Sequence, residues 1–138
     1  MKAQKYPDCK ICGKKIPNSR KYNAWTCSIK CHLKNIRINA RRRELHRKME
    51  VLLHYGGNPP KCACCGESHI EFLLIDHMTG DGNKHRHGKY RYSGSSFYIW
   101  LIKNNFPDSF QVLCSNCNFT KRNMNKKFCK VHHMELYK

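Results

Sequence analysis

Two Cys-x-x-Cys units in the second half constrain this chain more than any other feature. They are Cys62-Ala63-Cys64-Cys65-Gly66 and Cys114-Ser115-Asn116-Cys117-Asn118. Two such units supply the four thiolates of a closed tetrahedral zinc site, which has no open position for catalysis. The sequence therefore predicts a structural zinc ion held by Cys62, Cys65, Cys114 and Cys117. Cys64 is an alternative to Cys65, but only Cys62 with Cys65 gives the CxxCG knuckle spacing.

A second metal-binding pattern lies near the N-terminus. Cys9, Cys12, Cys27 and Cys31 have the spacing C-x2-C-x14-C-x3-C, which fits a zinc ribbon or a treble-clef-like module over residues 1–31. His32 is an alternative to Cys31 as the fourth ligand. Such a module can serve as a DNA-contacting finger or as a structural cap, and the sequence favours neither.

Composition supports metal over disulfides. Leu, Ile, Val and Phe make up roughly one residue in five, a level near that of disordered chains, whereas the chain has ten cysteines and nine histidines. Zinc binding contributes folding free energy directly, so we expect the metal-free protein to be largely unfolded. The alternative is a secreted disulfide scaffold, but no signal-peptide-like or membrane-spanning run is present. We therefore expect a reducing, cytoplasmic setting.

The formal charge of +18 predicts a polyanionic partner. Two four-thiolate zinc sites would carry about −2 each and would lower this charge to roughly +14. A solvated surface or a few membrane contacts could also explain the charge. Because Lys and Arg recur beside zinc modules and aromatic residues, we predict nucleic acid as the partner, with salt-sensitive binding and no membrane association.

A basic helix is predicted between the two zinc modules. Ser28 is a plausible N-cap, the helix should run to about His54, and residues 55–60 (YGGNPP) should end it. A run of charged residues often marks only a solvated helix face, but this arginine-rich helix joins two zinc modules and therefore predicts contact with phosphates. Arg37, Arg41, Arg42 and Arg43 carry this prediction. An apolar stripe is formed by Leu33, Ile36, Ala40, Leu45, Met49, Leu52 and Leu53.

The predicted fold class is a small α+β protein stapled by zinc. It comprises the N-terminal zinc module (1–31), the basic connecting helix (32–55), a C-terminal domain (56–125) and a basic tail (126–138). In the third part we predict a strand at 72–75, a tight loop at 79–83, a helix at 97–103 capped by Ser95 or Ser96, a strand at 110–113 and a helix from Ser115 or Asn116. The aromatic residues of the middle helix should belong to the core. Cys129, His132 and His133 could join a metal site, although a mobile tail is the simpler interpretation.

A strand ending in Asp-His, a second strand, and a helix entered through a CxxC knuckle together form a recognisable pattern. Over residues 55–125 it resembles the HNH endonuclease family, a ββα-metal or His-Me finger fold, in the phage and mobile-element type with a CxxC frame. The residues that carry the resemblance are 61–67 (KCACCGE), 75–77 (IDH), 82–86 (GNKHR), 111–118 (QVLCSNCN) and Lys121. It implies an endonuclease or nickase that acts on double-stranded DNA and uses a catalytic Mg²⁺ or Mn²⁺ and no small-molecule cofactor, beside the two structural zinc ions that the cysteine spacings predict. One catalytic site per chain suggests a monomer or a weak dimer.

The resemblance also implies roles for individual residues. His77 would be the general base, while Asp76 and Asn118 would bind the catalytic cation and so stabilise the leaving 3′ oxygen. Asn118 stands where many family members have histidine. The residues predicted to contact phosphates here are Lys84, Arg86, Lys121 and Arg122, with the last two on the exposed side of the last helix.

Simpler interpretations compete with each role. His77 could pack or bind zinc, Asp76 could cap a turn, and Asn118 could be a helix N-cap. The family's middle asparagine would fall near Ser109, so Asn83, Asn116 or a backbone carbonyl would have to orient the base. The alternative functions are a non-catalytic zinc-finger protein that binds DNA or RNA, and a nuclease that has lost turnover.

Overall fold

The protein forms two compact units that divide within one long helix. The structure is a computed structural model and describes residues 8–20, 24–80, 92, 94–123 and 132. The units are Met1–Leu45 and His46–Lys138. Its elements are α1 (Ile29–Gly56), β1 (Leu73–His77), α2 (Ser95–Lys103), β2 (Phe110–Cys114) and α3 (Ser115–Asn123). The predicted small α+β fold with two four-cysteine groups is confirmed.

The start and end of α1 follow from local chemistry. The Ser28 Oγ accepts a hydrogen bond from the Cys31 N–H at 3.2 Å, so this hydroxyl satisfies one of the free amides of the first turn. The helix ends at Gly56, and Gly57 adopts a φ of +81°, which a non-glycine residue rarely takes. The predicted helix is therefore confirmed to within two residues at its C-terminal end.

The predicted apolar stripe of α1 is buried only near the end of the helix. Leu52 of the stripe is completely buried, as is its neighbour Val51, which was not part of the prediction, whereas Leu33 and Leu45 are about half exposed. The difference arises because Val51 and Leu52 belong to hydrophobic clusters that β2 and α2 complete in the second unit. In the first unit the same stripe lies at the surface.

The strands β1 and β2 pair antiparallel, with Leu73 opposite Cys114, Ile75 opposite Val112 and His77 opposite Phe110. Side chains alternate along a strand, so His77 and Asp76 point to opposite faces of the sheet. Both strands extend beyond their predicted ends, because the backbone ladder continues through the Asp-His pair and to the cysteine of the second knuckle. The carbonyl of Phe72 accepts the Ser115 N–H at 2.9 Å, which joins the start of β1 to the start of α3.

The core of the second unit is part hydrophobic and part cysteine. One buried cluster combines leucine and valine side chains with Cys62, Cys114 and Cys117, and a smaller one joins Val51, Leu101 and Phe110. Three of the seven members of the larger cluster are thus predicted zinc ligands. The fold of this unit and its metal site share the same interior.

The α2 helix lies against the smaller cluster. Its predicted serine cap is wrong: the helix begins at Ser95, its N-cap is Gly94, and no side chain caps it. The Gly94 carbonyl instead accepts the Phe97 N–H at 3.1 Å. Phe97, Tyr98 and Trp100 pack on the core, as predicted for these aromatic residues.

Candidate functional site

The first four-cysteine group has the dimensions of a zinc site. The ligand atoms of Cys9, Cys12, Cys27 and Cys31 all lie within 4.8 Å of one another. The Sγ of Cys12 is 3.5 Å from that of Cys27 and 3.8 Å from that of Cys31. A tetrahedral ion with Zn–S bonds of about 2.3 Å places its sulfurs about 3.8 Å apart. The predicted ligand set therefore fits zinc, with Cys31 in the position for which His32 was the alternative.

The second group is equally compact and more deeply buried. Cys62, Cys65, Cys114 and Cys117 also lie within 4.8 Å of one another, and the Sγ atoms of Cys65 and Cys114 are 3.7 Å apart. Only Cys65 is exposed, while the other three are at least 95% buried. Cys64 is not a member of this group, in agreement with the knuckle spacing. The structure thus fits two four-thiolate zinc sites.

The two sites share one backbone design. The first cysteine of each knuckle donates its N–H to a carbonyl five residues on, Lys14 in one site and Glu67 in the other, at 2.8 Å in both. The next residue donates to the carbonyl two residues before the third cysteine, which is Trp25 or Val112. In both sites the third cysteine comes just before a helix and the fourth lies in the first turn of that helix. The knuckle and the helix are therefore joined by the backbone as well as by the ligands.

The electrostatics of the thiols favour a bound cation. Burial raises the pKa of Cys9, but backbone N–H donors lower it by more, to about 6. The pKa of Cys62 is lowered in the same way, against the effect of burial. The neighbouring Cys12 thiol and burial raise the pKa of Cys27 to about 12, and burial with three adjacent thiols raises that of Cys117. In each site the backbone thus stabilises one thiolate, while another thiol is harder to ionise. A bound divalent cation would supply the positive charge that all four thiolates need.

Asp76 lies on the sheet face that α3 covers. Its Oδ2 accepts hydrogen bonds from the Gln111 Nε2 at 2.8 Å and from the Lys121 Nζ at 2.5 Å. Gln111 is its cross-strand partner, so the sheet register itself creates this contact. Only 10% of the Asp76 side chain is exposed. The carboxylate is thus held on one oxygen by a cation and an amide.

The predicted exposed position of Lys121 is wrong. Its side chain is only 7% exposed, and the ammonium also donates to the backbone carbonyls of His77 at 2.6 Å and Met78 at 3.4 Å. Lys121 is one helical turn after Cys117, so the same face of α3 carries a buried zinc ligand and this lysine. Its oxygen contacts tie α3 to the end of β1, and the group does not point to solvent.

His77 lies on the opposite face of the sheet, among aromatic rings. Its imidazole stacks on Phe97 at 5.4 Å between centroids and meets the edge of Phe110 at 4.7 Å. His77 belongs to none of the groups of three metal-binding side chains found in the described part of the chain. The ring is half-buried, and its plane is fixed by these neighbours.

Asn118 lies within the first turns of α3 and is half-buried. It is three residues before Lys121, a spacing that makes the two side chains neighbours on the helix. Ser109, where the family's middle asparagine would fall, accepts the Met78 N–H through its carbonyl at 3.0 Å. That backbone bond extends the pairing just beyond β1 and β2. Asn83, a possible substitute for that asparagine, lies outside the described residues.

The basic residues of α1 divide into two sets. Arg37, Arg41, Arg42 and Arg43 are exposed, as a phosphate-binding face requires. Lys48 instead donates to the Ile70 carbonyl at 2.6 Å, and burial lowers the pKa of its ammonium in spite of Glu71. Lys84, Arg86, Cys129, His133 and the side chain of Arg122 lie outside the described residues.

Sequence reasoning missed the two partners of the Asp76 carboxylate. Gln111 is the single polar residue of β2, and a polar side chain within an apolar strand is a usable signal for a buried partner. Lys121 carries a weaker signal, the four-residue spacing from Cys117. His132, which the sequence offered as a possible metal ligand, lies near Cys64 and Cys117, two partners that the sequence did not indicate.

In the part of the chain that the structure describes, no helix combines the length and the apolar character needed to cross a bilayer. No family model, no curated protein and no solved structure matches the chain.

Proposed function

We propose that this protein is a divalent-metal-dependent DNA endonuclease or nickase of the HNH type. One observation carries the proposal: the Asp76-His77 pair ends β1, β2 leads into a zinc knuckle, and the helix that follows carries Asn118. The shared knuckle-and-helix design supports a treble-clef-like form for both zinc modules. Zinc would then serve as scaffold, and hydrolysis would depend on residues beside it.

His77 would act as the general base. An imidazole has an ordinary pKa near neutrality, so it can take a proton from an attacking water at physiological pH. The stacked Phe97 and the edge contact with Phe110 support this role because they fix the orientation of the ring. A fixed base loses less entropy when the reaction geometry is reached.

Asp76 and Asn118 would hold the catalytic Mg²⁺ or Mn²⁺. The donor set fits a hard cation, since a carboxylate and an amide both offer oxygen. When bound, such an ion neutralises charge that develops on the leaving oxygen. The Lys121 ammonium already occupies one oxygen of Asp76. Lys121 would therefore compete with the divalent ion and keep its affinity low.

DNA would be held mainly through its phosphates. The four exposed arginines of α1 distribute positive charge around much of the helix, and the chain carries a formal charge of +18. Contacts of this kind position the duplex and do not select its sequence. Affinity should therefore fall steeply as salt rises, as counterion release requires.

A non-catalytic nucleic-acid-binding protein is the second candidate, and the Lys121–Asp76 pair favours it. A carboxylate neutralised by a buried ammonium is a structural element of the fold, and it needs no metal. On this alternative the zinc modules and the exposed arginines of α1 would bind DNA or RNA, and the Asp-His pair would only connect β1 to α3.

Cleavage of supercoiled plasmid separates the two candidates. Zinc-loaded protein with Mn²⁺ or Mg²⁺ should produce nicked or linear DNA, and omission of the added ion should stop it while leaving zinc in place. His77→Ala should abolish cleavage, and Asp76→Ala and Asn118→Ala should weaken it and change its metal dependence. His46→Ala, which removes an exposed imidazole on α1, is the matched control.

The result decides between the proposals. Cleavage by His77→Ala at the wild-type rate would refute the assigned base. Tight DNA binding by the wild type without cleavage under either divalent ion would support the binding protein instead.

A further inference from the structure

A third group of metal-binding side chains lies beside the second zinc site. It consists of Cys64, Cys117 and His132, whose ligand atoms all lie within 4.8 Å of one another. Cys117 also belongs to the four-cysteine group, so the two sets share one thiol. Cys64 lies between the two predicted zinc ligands of the Cys62–Cys65 knuckle and is not itself one of them. This group is independent of the residues proposed for catalysis.

The distances fit a zinc ion between these ligands. The His132 Nδ1 is 3.5 Å from the Cys117 Sγ and 3.7 Å from the Cys64 Sγ. A tetrahedral zinc ion, with bonds of about 2.3 Å to sulfur and about 2.1 Å to nitrogen, separates the two atoms by about 3.6 Å. In a neutral imidazole, Nδ1 carries either one hydrogen or one lone pair, so a single hydrogen bond would favour one of the two sulfurs. A cation bound to all three atoms instead places both sulfurs at nearly equal distances from Nδ1.

Charge balance also favours a second ion. A zinc ion with four thiolates carries about −2, and Cys117 is completely buried within this site. Adding one thiolate and one Zn²⁺ changes the total to about −1, because the imidazole is neutral. Since a buried net charge is costly, the two-ion arrangement leaves less charge to be compensated.

We propose that the second unit binds a further zinc ion through Cys64, Cys117 and His132, with the Cys117 thiolate bridging two zinc ions. Three protein ligands leave the fourth position of this ion to water or to an external ligand. His132 is exposed, so the open position would face solvent. The chain would then bind three zinc ions, two of them in the second unit.

Metal content of the purified full-length protein tests the stoichiometry. After removal of loosely bound metal, wild type should retain three zinc ions per chain by plasma mass spectrometry. Cys64→Ser and His132→Ala should each retain two. The control is His46→Ala, which removes another exposed imidazole and should retain three.

Spectroscopy tests the bridge. In a Co²⁺ titration of the metal-depleted protein, the third equivalent should add thiolate-to-cobalt charge-transfer intensity in wild type but not in Cys64→Ser. Added imidazole should shift the ligand-field bands of that equivalent only. X-ray absorption fine structure at the zinc edge should show scattering from a second zinc ion in the wild type. This zinc–zinc signal should be lost in His132→Ala, while the circular dichroism spectrum stays unchanged.

Three results would overturn the proposal. They are two zinc ions in wild type, three zinc ions retained in both the Cys64 and His132 variants, and no zinc–zinc signal. A two-ion result would mean that His132 donates a hydrogen bond to a thiolate of the four-cysteine site. None of these measurements depends on DNA cleavage.

Discussion

Replacing Lys121 with methionine should destabilise the second unit strongly. The Lys121–Asp76 pair is about nine-tenths buried on both sides, with the Nζ 2.5 Å from the Oδ2. The variant would leave a buried carboxylate with the Gln111 amide as its remaining donor among the hydrogen bonds described. Removing one partner of a buried ion pair costs about 3–5 kcal/mol. A whole domain typically has a free energy of unfolding of about 5–15 kcal/mol, and we expect this unit to lie in that range. The loss would therefore be a large fraction of its stability.

The opposite substitution should cost less. In Asp76→Asn the buried ammonium keeps the carbonyls of His77 and Met78 as acceptors, and the new amide can still pair with Gln111. The double variant removes both charges, so it should recover much of the loss. A double-mutant cycle should give a coupling energy of about 2–3 kcal/mol.

Urea unfolding of zinc-loaded protein, at a fixed free zinc concentration, measures these differences. Trp100 lies in the second unit, so a Trp25→Phe background isolates its fluorescence. Lys103→Met, on the exposed surface of α2, is the matched control and should change stability by less than about 0.5 kcal/mol. If Lys121→Met unfolds within about 1 kcal/mol of the wild type, the pair is screened by solvent and the reasoning fails.

The remaining predictions concern packing, ionisation and metal. Leu52→Ala should cost about 2–5 kcal/mol in urea unfolding, because the side chain is completely buried, whereas Leu53→Ala, 39% exposed, should cost far less. Gly56→Ala should lower stability by about 1–3 kcal/mol, since the added Cβ would meet a β2 methyl group at 2.9 Å; no loss would mean that β2 moves aside. Burial, then the charge of Asp108, raises the pKa of Tyr55 to about 12. Its ordinary value is about 10, so this stabilisation should be complete below pH 10 and disappear as pH rises toward 12. An absorbance titration at alkaline pH should accordingly lose its highest component in Tyr55→Phe. Chelation of zinc should abolish cooperative unfolding of the second unit, because its larger buried cluster contains three ligands; a retained transition would contradict this.

The metal frame could be predicted from sequence because its signals are local. CxxCG fixes a knuckle through the left-handed glycine, and Ser28 marks a helix start by its hydroxyl alone. Asp76 could be placed at a strand end for the same reason. Its partner could not be predicted, because Lys121 is 45 residues further along the chain and reaches Asp76 only through the packing of α3 against the sheet.

The same limit explains the error about α1. A stripe of apolar residues predicts which side of a helix can be buried, but not where along the helix a partner exists. Leu33 and Leu52 look alike in sequence. Only the second of them meets β2, a strand more than fifty residues further along the chain.

The two zinc modules differ mainly in what their common frame encloses. Between the second and third cysteines, the first module has 14 residues and the second has 114 − 65 − 1 = 48 residues. The longer segment contains β1, α2 and most of β2, including the Asp76-His77 pair and the aromatic rings that surround the imidazole. Because the backbone bonds of the two frames are alike, the catalytic function proposed for the second module would depend on this segment and on the face of α3 that meets it. Variants within the segment that keep zinc bound would therefore separate the proposed catalysis from folding, whereas variants of the eight cysteines in the two four-thiol groups cannot.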